Sequence, residues 1–293
     1  MHYASKSVQT AGDKCMVQSL YELEKIASSK LDEMAHTYYR GGSRDEITLR
    51  ANRSTWDQIY LWYRVLVDVS HKNCSTRVMG TELSAPILIA PTAFHGLAHP
   101  DAERATVRAA DSFGTIACVS TLSNIDLETL AADTQSVLWF QLYVYKDRGI
   151  TKSLVERAEA AGYKAIILTV DAAEIGTREG DQQTSFHLPS KLEIANLRDA
   201  GLAQLGKTNS GSALSQYVRD MLDKSLTWAD LEWLANQTNL PVVVKGLVRP
   251  DDAVRAIEAG ASAVIVSNHG GRQLDTAPPT SVALPYVVDA VAG

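Results

Sequence analysis

The sequence is short of cysteine, of long apolar runs and of net positive charge, and each shortage narrows what the protein can be. Its three cysteines, Cys15, Cys74 and Cys118, are scattered. They provide neither a disulfide framework nor metal-ligand spacing, which is typical of a reducing compartment. No apolar run approaches the roughly 18 residues needed to span a bilayer. The formal net charge is −6, which argues against a duplex nucleic-acid partner.

The first 18 residues also lack an apolar core, so they are not a secretory signal. We predict that residues 1–18 form a disordered tail and that residues 19–293 form one domain. With 45% hydrophobic and 21% charged residues, the chain has the composition of a globular protein. Apolar residues three and four apart predict an amphipathic helix from Leu20 to Tyr38 that ends at Gly41 and Gly42. The segment 45–85 is predicted to be a covering element with strand-like pieces around Leu66 to Val69.

From Pro86 onward, short apolar runs alternate with helical patterns. The predicted strands are 86–91, 116–120, 137–145, 164–170, 241–246 and 263–267. The predicted helices are 100–113, 147–161, 227–238, 250–259 and 280–291. This alternation predicts an α/β fold with a parallel sheet and right-handed crossovers, and six successive units favour a barrel.

Two features break the pattern. Residues 172–226 are too many for an ordinary loop and predict a lid or a disordered insertion. A TIM (β/α)8 barrel has eight strands, so six imply a C-terminally incomplete barrel unless two strands come from elsewhere.

Polar residues follow the apolar runs where each predicted strand ends, which is the face on which α/β barrels place their chemistry. They are Thr92, Ser120, Thr121, Gln141, Tyr143, Thr169, Asp171, Lys245, Ser267, His269 and Arg272. Taken singly, most of them have an ordinary structural explanation. Together with Arg178 they predict one polar pocket. In it, two arginines would clamp a carboxylate, His269 would move a proton, and Asp171 would stabilise the imidazolium. Lys245 would balance charge on a reduced heteroaromatic cofactor.

The motifs resemble the family of FMN-dependent L-2-hydroxy acid oxidases and dehydrogenases, which includes glycolate oxidase and lactate oxidase. The matching strings are Tyr38-Tyr39 before Gly41-Gly42, Ala90-Pro-Thr-Ala93, Phe140-Gln-Leu-Tyr-Val-Tyr-Lys-Asp147, Leu168-Thr-Val-Asp171 with Arg178, Val244-Lys-Gly246 and Ser267-Asn-His-Gly-Gly-Arg-Gln-Leu-Asp275. The resemblance implies FMN as cofactor, a small 2-hydroxy acid as substrate, and oxygen or another electron acceptor. It also implies a homo-tetramer for the full-length protein and an intracellular location, cytoplasmic or peroxisomal.

The resemblance assigns a role to each matching residue. His269 is expected to be the base and Asp171 its partner, Arg178 and Arg272 are expected to hold the substrate carboxylate, and Tyr38 and Tyr143 are expected to bind substrate as catalytic residues. The residues expected to contact FMN are Thr92, Ala93, Ser120, Gln141, Thr169, Lys245 and Ser267.

Two departures from the family pattern change the expected substrate and the expected strength of FMN binding. Leu122 stands where glycolate oxidase carries a bulky aromatic residue, which predicts a wider pocket and a longer hydroxy acid. The family's glycine- and arginine-rich FMN phosphate site follows strands that the sequence does not reach, which predicts weak FMN binding and exposed apolar barrel edges. The alternatives are a non-catalytic fragment that cannot hold FMN and another flavin- or phosphate-binding barrel. The latter needs a nucleophilic cysteine loop or a different anion site, and Cys118 lies in a predicted strand rather than in such a loop.

Overall fold

The computed structural model describes residues 17–208 and 211–292. The predicted disordered tail therefore lies outside the described residues, except for its last two positions. The described α-helices are α1 (Leu20–Lys30), α2 (Glu33–Arg40), α3 (Ile47–Ser54), α4 (Ala102–Phe113), α5 (Leu127–Ala132), α6 (Arg148–Ala160), α7 (Glu179–Gln183), α8 (Ala213–Met221), α9 (Trp228–Ala235), α10 (Pro250–Glu258) and α11 (Thr280–Val291). The described strands are β1 (Thr76–Val78), β2 (Thr81–Leu83), β3 (Ala117–Ser120), β4 (Leu138–Leu142), β5 (Ile166–Thr169), β6 (Val242–Leu247) and β7 (Ala263–Val266).

The centre of the fold is a parallel sheet in the order β3-β4-β5-β6-β7. Strands that are consecutive in the chain are neighbours in the sheet, and helices α5, α6, α9 and α10 occur between them. The predicted α/β class and parallel sheet are therefore confirmed. Strands β4 and β5 are buried along their whole length, which explains why their sequences are continuous apolar runs rather than alternating ones.

Alternate residues of the strands serve two different cores. Phe140, Ile166 and Val244 belong to the large cluster that also contains residues of the surrounding helices. Trp139 and Ile167 pack on the other face in a smaller cluster with Leu83 of β2. The antiparallel pair β1-β2 thus covers this smaller cluster, as predicted for a covering element in the segment 45–85.

Two predictions for the N-terminal part are wrong. The helix predicted from Leu20 to Tyr38 is two helices, because Leu31 is extended and Asp32 begins α2 with its Oδ1 accepting from the Ala35 amide at 2.7 Å. No strand lies around Leu66 to Val69 in the described chain, because Leu66 has a left-handed backbone with φ 57° that interrupts an extended run.

The predicted strand at 86–91 is also not a regular strand. Ile89 alone forms a parallel bridge to Ala117, donating to the Ile116 carbonyl and accepting from the Cys118 amide, both at 3.0 Å. Pro86 and Pro91 have no amide hydrogen to donate, which limits pairing on both sides. The segment nevertheless lies beside β3, in the place that the alternation predicted.

The long insertion at 172–226 is ordered in its described part rather than disordered. It contains α7, α8 and a short 3-10 turn, Ala195–Leu197, that is fully buried. Asn196 fastens this turn to the end of β3: its Nδ2 donates to the carbonyls of Ser120 and Thr121 at 3.3 and 3.1 Å. The insertion therefore forms a fixed wall over the carboxyl ends of the strands.

Candidate active site

A cavity of about 330 Å³ lies at the carboxyl ends of the sheet strands. The predicted residues that line it are Tyr38, Thr92, Ala93, Ser120, Gln141, Tyr143, Thr169, Arg178, Lys245, Ser267, His269 and Arg272. Asp171 does not line it but contacts His269 from behind. The structure thus brings together every predicted site residue from segments that are far apart in the chain.

His269 and Asp171 form the central pair. The His269 Nδ1 and Asp171 Oδ1 atoms are 2.8 Å apart, and the side chains are 20% and 13% exposed. A carboxylate accepts, so Nδ1 carries the hydrogen and the lone pair of Nε2 is free to take a proton. Burial lowers the pKa of His269, and the hydrogen bond that Nδ1 donates to Asp171 opposes that shift. The imidazole is therefore neutral at pH 7, which is the form that a general base requires.

The short segment before His269 fixes the direction of its ring. Strand β7 ends at Val266, and Ser267 Oγ accepts from the His269 amide at 3.1 Å. His269 has φ 57°, followed by Gly270 at 68° and Gly271 at 72°. A Cβ on Gly271 would lie 2.6 Å from the Leu49 amide nitrogen, so this turn requires glycine where it passes α3.

Two guanidinium groups share the cavity with this pair. Arg178 is only 7% exposed, and its contacts are long: 3.3 Å to the Arg272 carbonyl and 3.5 Å to Asp181 Oδ2. Burial and the neighbouring Arg272 lower the pKa of Arg178. Arg272 Nη1 donates to the carbonyls of Tyr38 and Gly41 at 2.6 and 2.7 Å. A buried cation with long contacts favours binding of an anion.

Two tyrosines complete the wall beside the arginines. Tyr38 stacks on Phe186 with ring centroids 4.4 Å apart, and the Arg272 guanidinium lies 4.9 Å from its centroid. Burial raises the pKa of both Tyr38 and Tyr143. Both phenols therefore stay protonated at neutral pH and can donate a hydrogen bond to a ligand.

A row of polar side chains crosses the ends of four strands. Gln141 Oε1 accepts from Ser120 Oγ at 3.2 Å, and Gln141 Nε2 donates to Thr169 Oγ1 at 3.0 Å. Lys245 is paired in register with Thr169 and is 9% exposed. Burial lowers the pKa of Lys245, whereas Asp171 raises it. Hydroxyl, amide and ammonium groups in one row fit the edge of a heteroaromatic ring whose reduced form is anionic.

The loop with Thr92 and Ala93 closes the cavity on the side of β3. Its position is held by Tyr39, whose Oη donates to the Phe94 carbonyl at 2.5 Å. Ala93 is partly buried against the large core cluster, whereas Thr92 is exposed. Backbone and small side chains here allow a flat ligand to approach closely.

Sequence reasoning missed several lining residues: Tyr39, Ile175, Leu214, Val218 and Gln273. Leu214 and Val218 are four apart on α8, so a helical apolar spacing inside the long insertion was the available signal. Gln273 stands inside the most specific motif, but no pattern gave it a role. In the described parts of the chain, no group of three or more His, Cys, Asp or Glu side chains could hold a metal ion, and no helix could cross a membrane.

A parallel α/β sheet whose strand ends place a His–Asp pair, two arginines and a lysine around one cavity defines an α/β enzyme that acts on an anionic substrate beside a cofactor. A family model described as FMN-dependent dehydrogenase matches residues 27–293. The chain belongs to this family, and its cofactor is FMN.

Individual relatives agree with this assignment. The L-lactate oxidase of Nostoc sp. is 50% identical over 279 residues, covering 94% of this chain and 76% of the relative. The glycolate oxidase of Spinacia oleracea is 44% identical over 277 residues, covering 94% and 75%. Among solved structures, mandelate oxidase with (S)-4-hydroxymandelic acid is 38% identical with a TM-score of 0.89, covering 94% of this chain and 77% of that one.

Proposed function

We propose that the protein oxidises an L-2-hydroxy acid to the corresponding 2-oxo acid, with His269 as the base and FMN as the electron acceptor. The observation that carries the proposal is the common cavity, in which Arg178 and Arg272 lie beside the His269–Asp171 pair. Relatives named L-lactate oxidase and glycolate oxidase, and a structure of mandelate oxidase with a hydroxymandelic acid, support the substrate class.

The arginines bind the substrate carboxylate in this proposal. Arg178 makes only long contacts within the protein, so its guanidinium gains the most from an anion. Arg272 is already oriented by two backbone carbonyls, so it offers a fixed direction of approach. Tyr38 and Tyr143 donate hydrogen bonds to the substrate oxygens, since both stay protonated.

His269 accepts the proton that the substrate's C2–OH unit releases. Its Nε2 is the free acceptor because Nδ1 is held by Asp171. The ring becomes an imidazolium, and the carboxylate of Asp171 stabilises it. Conversion of the hydroxy acid to the 2-oxo acid removes two electrons and two protons: one proton goes to His269, and the two electrons and the other proton would go to FMN.

FMN supplies the two-electron acceptor when it is bound. Thr92, Ala93, Ser120, Gln141, Thr169, Lys245 and Ser267 are the residues that hold it in this proposal. The hydroxyl and amide groups of the row donate to and accept from ring heteroatoms. The Lys245 ammonium stabilises negative charge on the reduced form.

The finer features of the protein are proposals as well. We propose that residues 19–293 are one domain and that its sheet is part of a (β/α)8 barrel. We also propose that oxygen or another acceptor reoxidises the cofactor, and that Leu122 leaves room for a longer hydroxy acid. The homo-tetramer and the intracellular location stay predictions. A non-catalytic fragment is not favoured, because every predicted side chain reaches the site.

The test is anaerobic reduction of bound FMN. The purified protein is supplied with FMN and mixed in turn with glycolate, L-lactate and 2-hydroxyoctanoate, and the flavin absorbance is followed. We expect at least one of these hydroxy acids to bleach the flavin, and we expect the D-enantiomers of lactate and 2-hydroxyoctanoate to leave it oxidised. Failure of all the hydroxy acids with a flavin-loaded protein would contradict the proposal.

A further inference from the structure

The groups that we assign to chemistry come from two chain segments that do not adjoin in the sheet. Asp171 and Arg178 follow β5, whereas His269 and Arg272 follow β7. Strand β6 lies between β5 and β7 and pairs with both, so no direct ladder joins the two strands, and the segments that follow them lie beyond the sheet. Catalysis requires the distance between these segments to be held within about 0.5 Å. A contact beyond the sheet has to fix it.

The side chain of Gln273 makes that contact with four hydrogen bonds. Its Nε2 donates to the carbonyls of Asp171 at 2.7 Å and Glu174 at 2.9 Å. Its Oε1 accepts from the Gly176 amide at 3.1 Å and from Arg178 Nη2 at 3.4 Å. A primary amide has two donors and two acceptor positions, so Gln273 uses all of them on the segment 171–178.

The backbones at this contact are too close for any side chain between them. A Cβ on Gly176 would lie 2.3 Å from the Arg272 carbonyl oxygen and 2.4 Å from that of Gln273. Arg178 Nε also donates to the Arg272 carbonyl at 3.3 Å. The two segments therefore meet directly. Arg178 and His269 each make a side-chain contact across the junction, and Gln273 makes four.

We propose that Gln273 is a positioning residue that locks the Asp171–Arg178 segment onto the His269–Arg272 segment. The inference rests on the proposed function, because the locked groups are those assigned to chemistry there. The two ends of the amide have different tasks. The Nε2 end holds the backbone of Asp171, and thereby its carboxylate against the imidazole. The Oε1 end holds Gly176 and the guanidinium of Arg178.

Two substitutions separate these tasks. Gln273→Glu keeps the size and both acceptor positions but cannot donate to the carbonyls of Asp171 and Glu174. Gln273→Leu keeps the volume and removes both ends. The matched controls are Gln135→Glu and Gln135→Leu, because Gln135 is exposed and precedes β4 at the opposite end of the strands.

The first readout is amide hydrogen exchange of the FMN-loaded protein, which does not depend on turnover. We expect exchange within 171–178 to be about tenfold faster or more in Gln273→Leu, which corresponds to a loss of about 1.4 kcal/mol or more. Both Gln135 variants should match the wild type. Unchanged exchange in Gln273→Leu would overturn the proposal, whatever the substrate of the enzyme proves to be.

The second readout is the pH profile of kcat/KM. The charged groups that face His269 are Asp171, Lys245 and Arg178, and only Asp171 favours its protonation. Loosening Asp171 therefore moves the acid limb of the profile to lower pH. We expect this shift in Gln273→Leu, which adds no charge, together with a rise in KM. The new carboxylate of Gln273→Glu opposes the shift by favouring protonation of His269, so the pH profile of that variant is not used as a readout. Lower protein stability of Gln273→Leu with an unmoved acid limb would reduce Gln273 to an ordinary structural residue and overturn the proposal. If Gln273→Leu does not fold, hydrogen exchange within 171–178 in Gln273→Glu decides: exchange as slow as in the wild type would overturn the proposal.

Discussion

Replacing Asp171 by Asn is the sharpest test of the His269–Asp171 pair. The two atoms that join them are 2.8 Å apart and the side chains are mostly buried. At about 4 Å between charge centres and an effective dielectric constant of about 20, the carboxylate stabilises the imidazolium by about 4 kcal/mol. The amide still accepts a hydrogen bond and the site relaxes, so we expect a loss of about 2–4 kcal/mol. That corresponds to a rate of flavin reduction roughly 30- to 1000-fold lower.

The pH dependence of the Asp171→Asn variant has a definite sign. Burial already lowers the pKa of His269, and Asp171 is the group that raises it. Removing the carboxylate lowers that pKa further, so the base stays neutral to lower pH. We expect the acid limb of kcat/KM in the wild type to lie below about pH 6.5, the ordinary pKa of histidine, and lower still in the variant. Stopped-flow measurement of FMN reduction from about pH 4.5 to about pH 8, which brackets the ordinary pKa of histidine, gives both the rate and the position of the acid limb. An unchanged rate of flavin reduction with an unmoved acid limb would refute the claim that Asp171 stabilises the imidazolium of His269.

Asp181→Asn is the matched control. Asp181 is also a buried aspartate, 4% exposed, but its partner is Arg178 at 3.5 Å rather than His269. The substitution removes the same charge from the same region. We expect it to alter KM through Arg178 and to leave the acid limb in place. A limb that moves equally in both variants would mean that the general loss of negative charge, and not the contact with His269, sets the pH dependence.

Three further predictions concern the rest of the cavity. Arg178→Lys should raise KM for the hydroxy acid at least about tenfold, because an ammonium lacks the planar fork of donors; an unchanged KM would exclude Arg178 from carboxylate binding. Lys245→Met removes the buried positive charge of the row, so the reduction potential of bound FMN should fall; spectroelectrochemical titration giving the wild-type potential would argue against that role. Leu122 lines the cavity, so Leu122→Trp should lower the rate with 2-hydroxyoctanoate relative to glycolate, and a wild type with a strong preference for glycolate would contradict the wider pocket.

Sequence reasoning succeeded where local patterns and the fold agree. Strands β5 and β6 were predicted within two residues at each end, because apolar, β-branched runs are the form that doubly covered strands take. Helix α11 has the predicted bounds Thr280–Val291. Helix α9 begins where the predicted helix 227–238 does, and its start is capped by Asp230, whose Oδ2 accepts from the Thr227 amide at 2.7 Å. These signals lie within a few residues of each other in the chain.

It failed where contacts distant in sequence decide the structure. No local pattern within residues 172–226 predicts that the side chain of Asn196 binds the end of β3, yet that contact fastens the insertion to the sheet. Asp32 is a common N-cap residue and is the local signal for the break after Leu31. The apolar spacing continues across this break, so the spacing alone predicts one helix. The resemblance and the polar residues at the strand ends predicted the site residues. The role of Gln273 could not be predicted, because its partners lie about a hundred residues earlier in the chain.

The charges of the cavity show why binding and stability must be coupled in this protein. The chain as a whole carries a formal net charge of −6, yet Arg178, Arg272 and Lys245 face a cavity with Asp171 and Asp181 as the nearby carboxylates. Burial lowers the pKa of Arg178 and Lys245, which means that the fold disfavours their charged forms. An anionic ligand reverses that penalty, because it neutralises cations that are already desolvated. Ligands that bind the folded state stabilise it by mass action. A 2-oxo acid and reduced FMN should therefore stabilise the fold by acting on the same groups to which we assign the reaction.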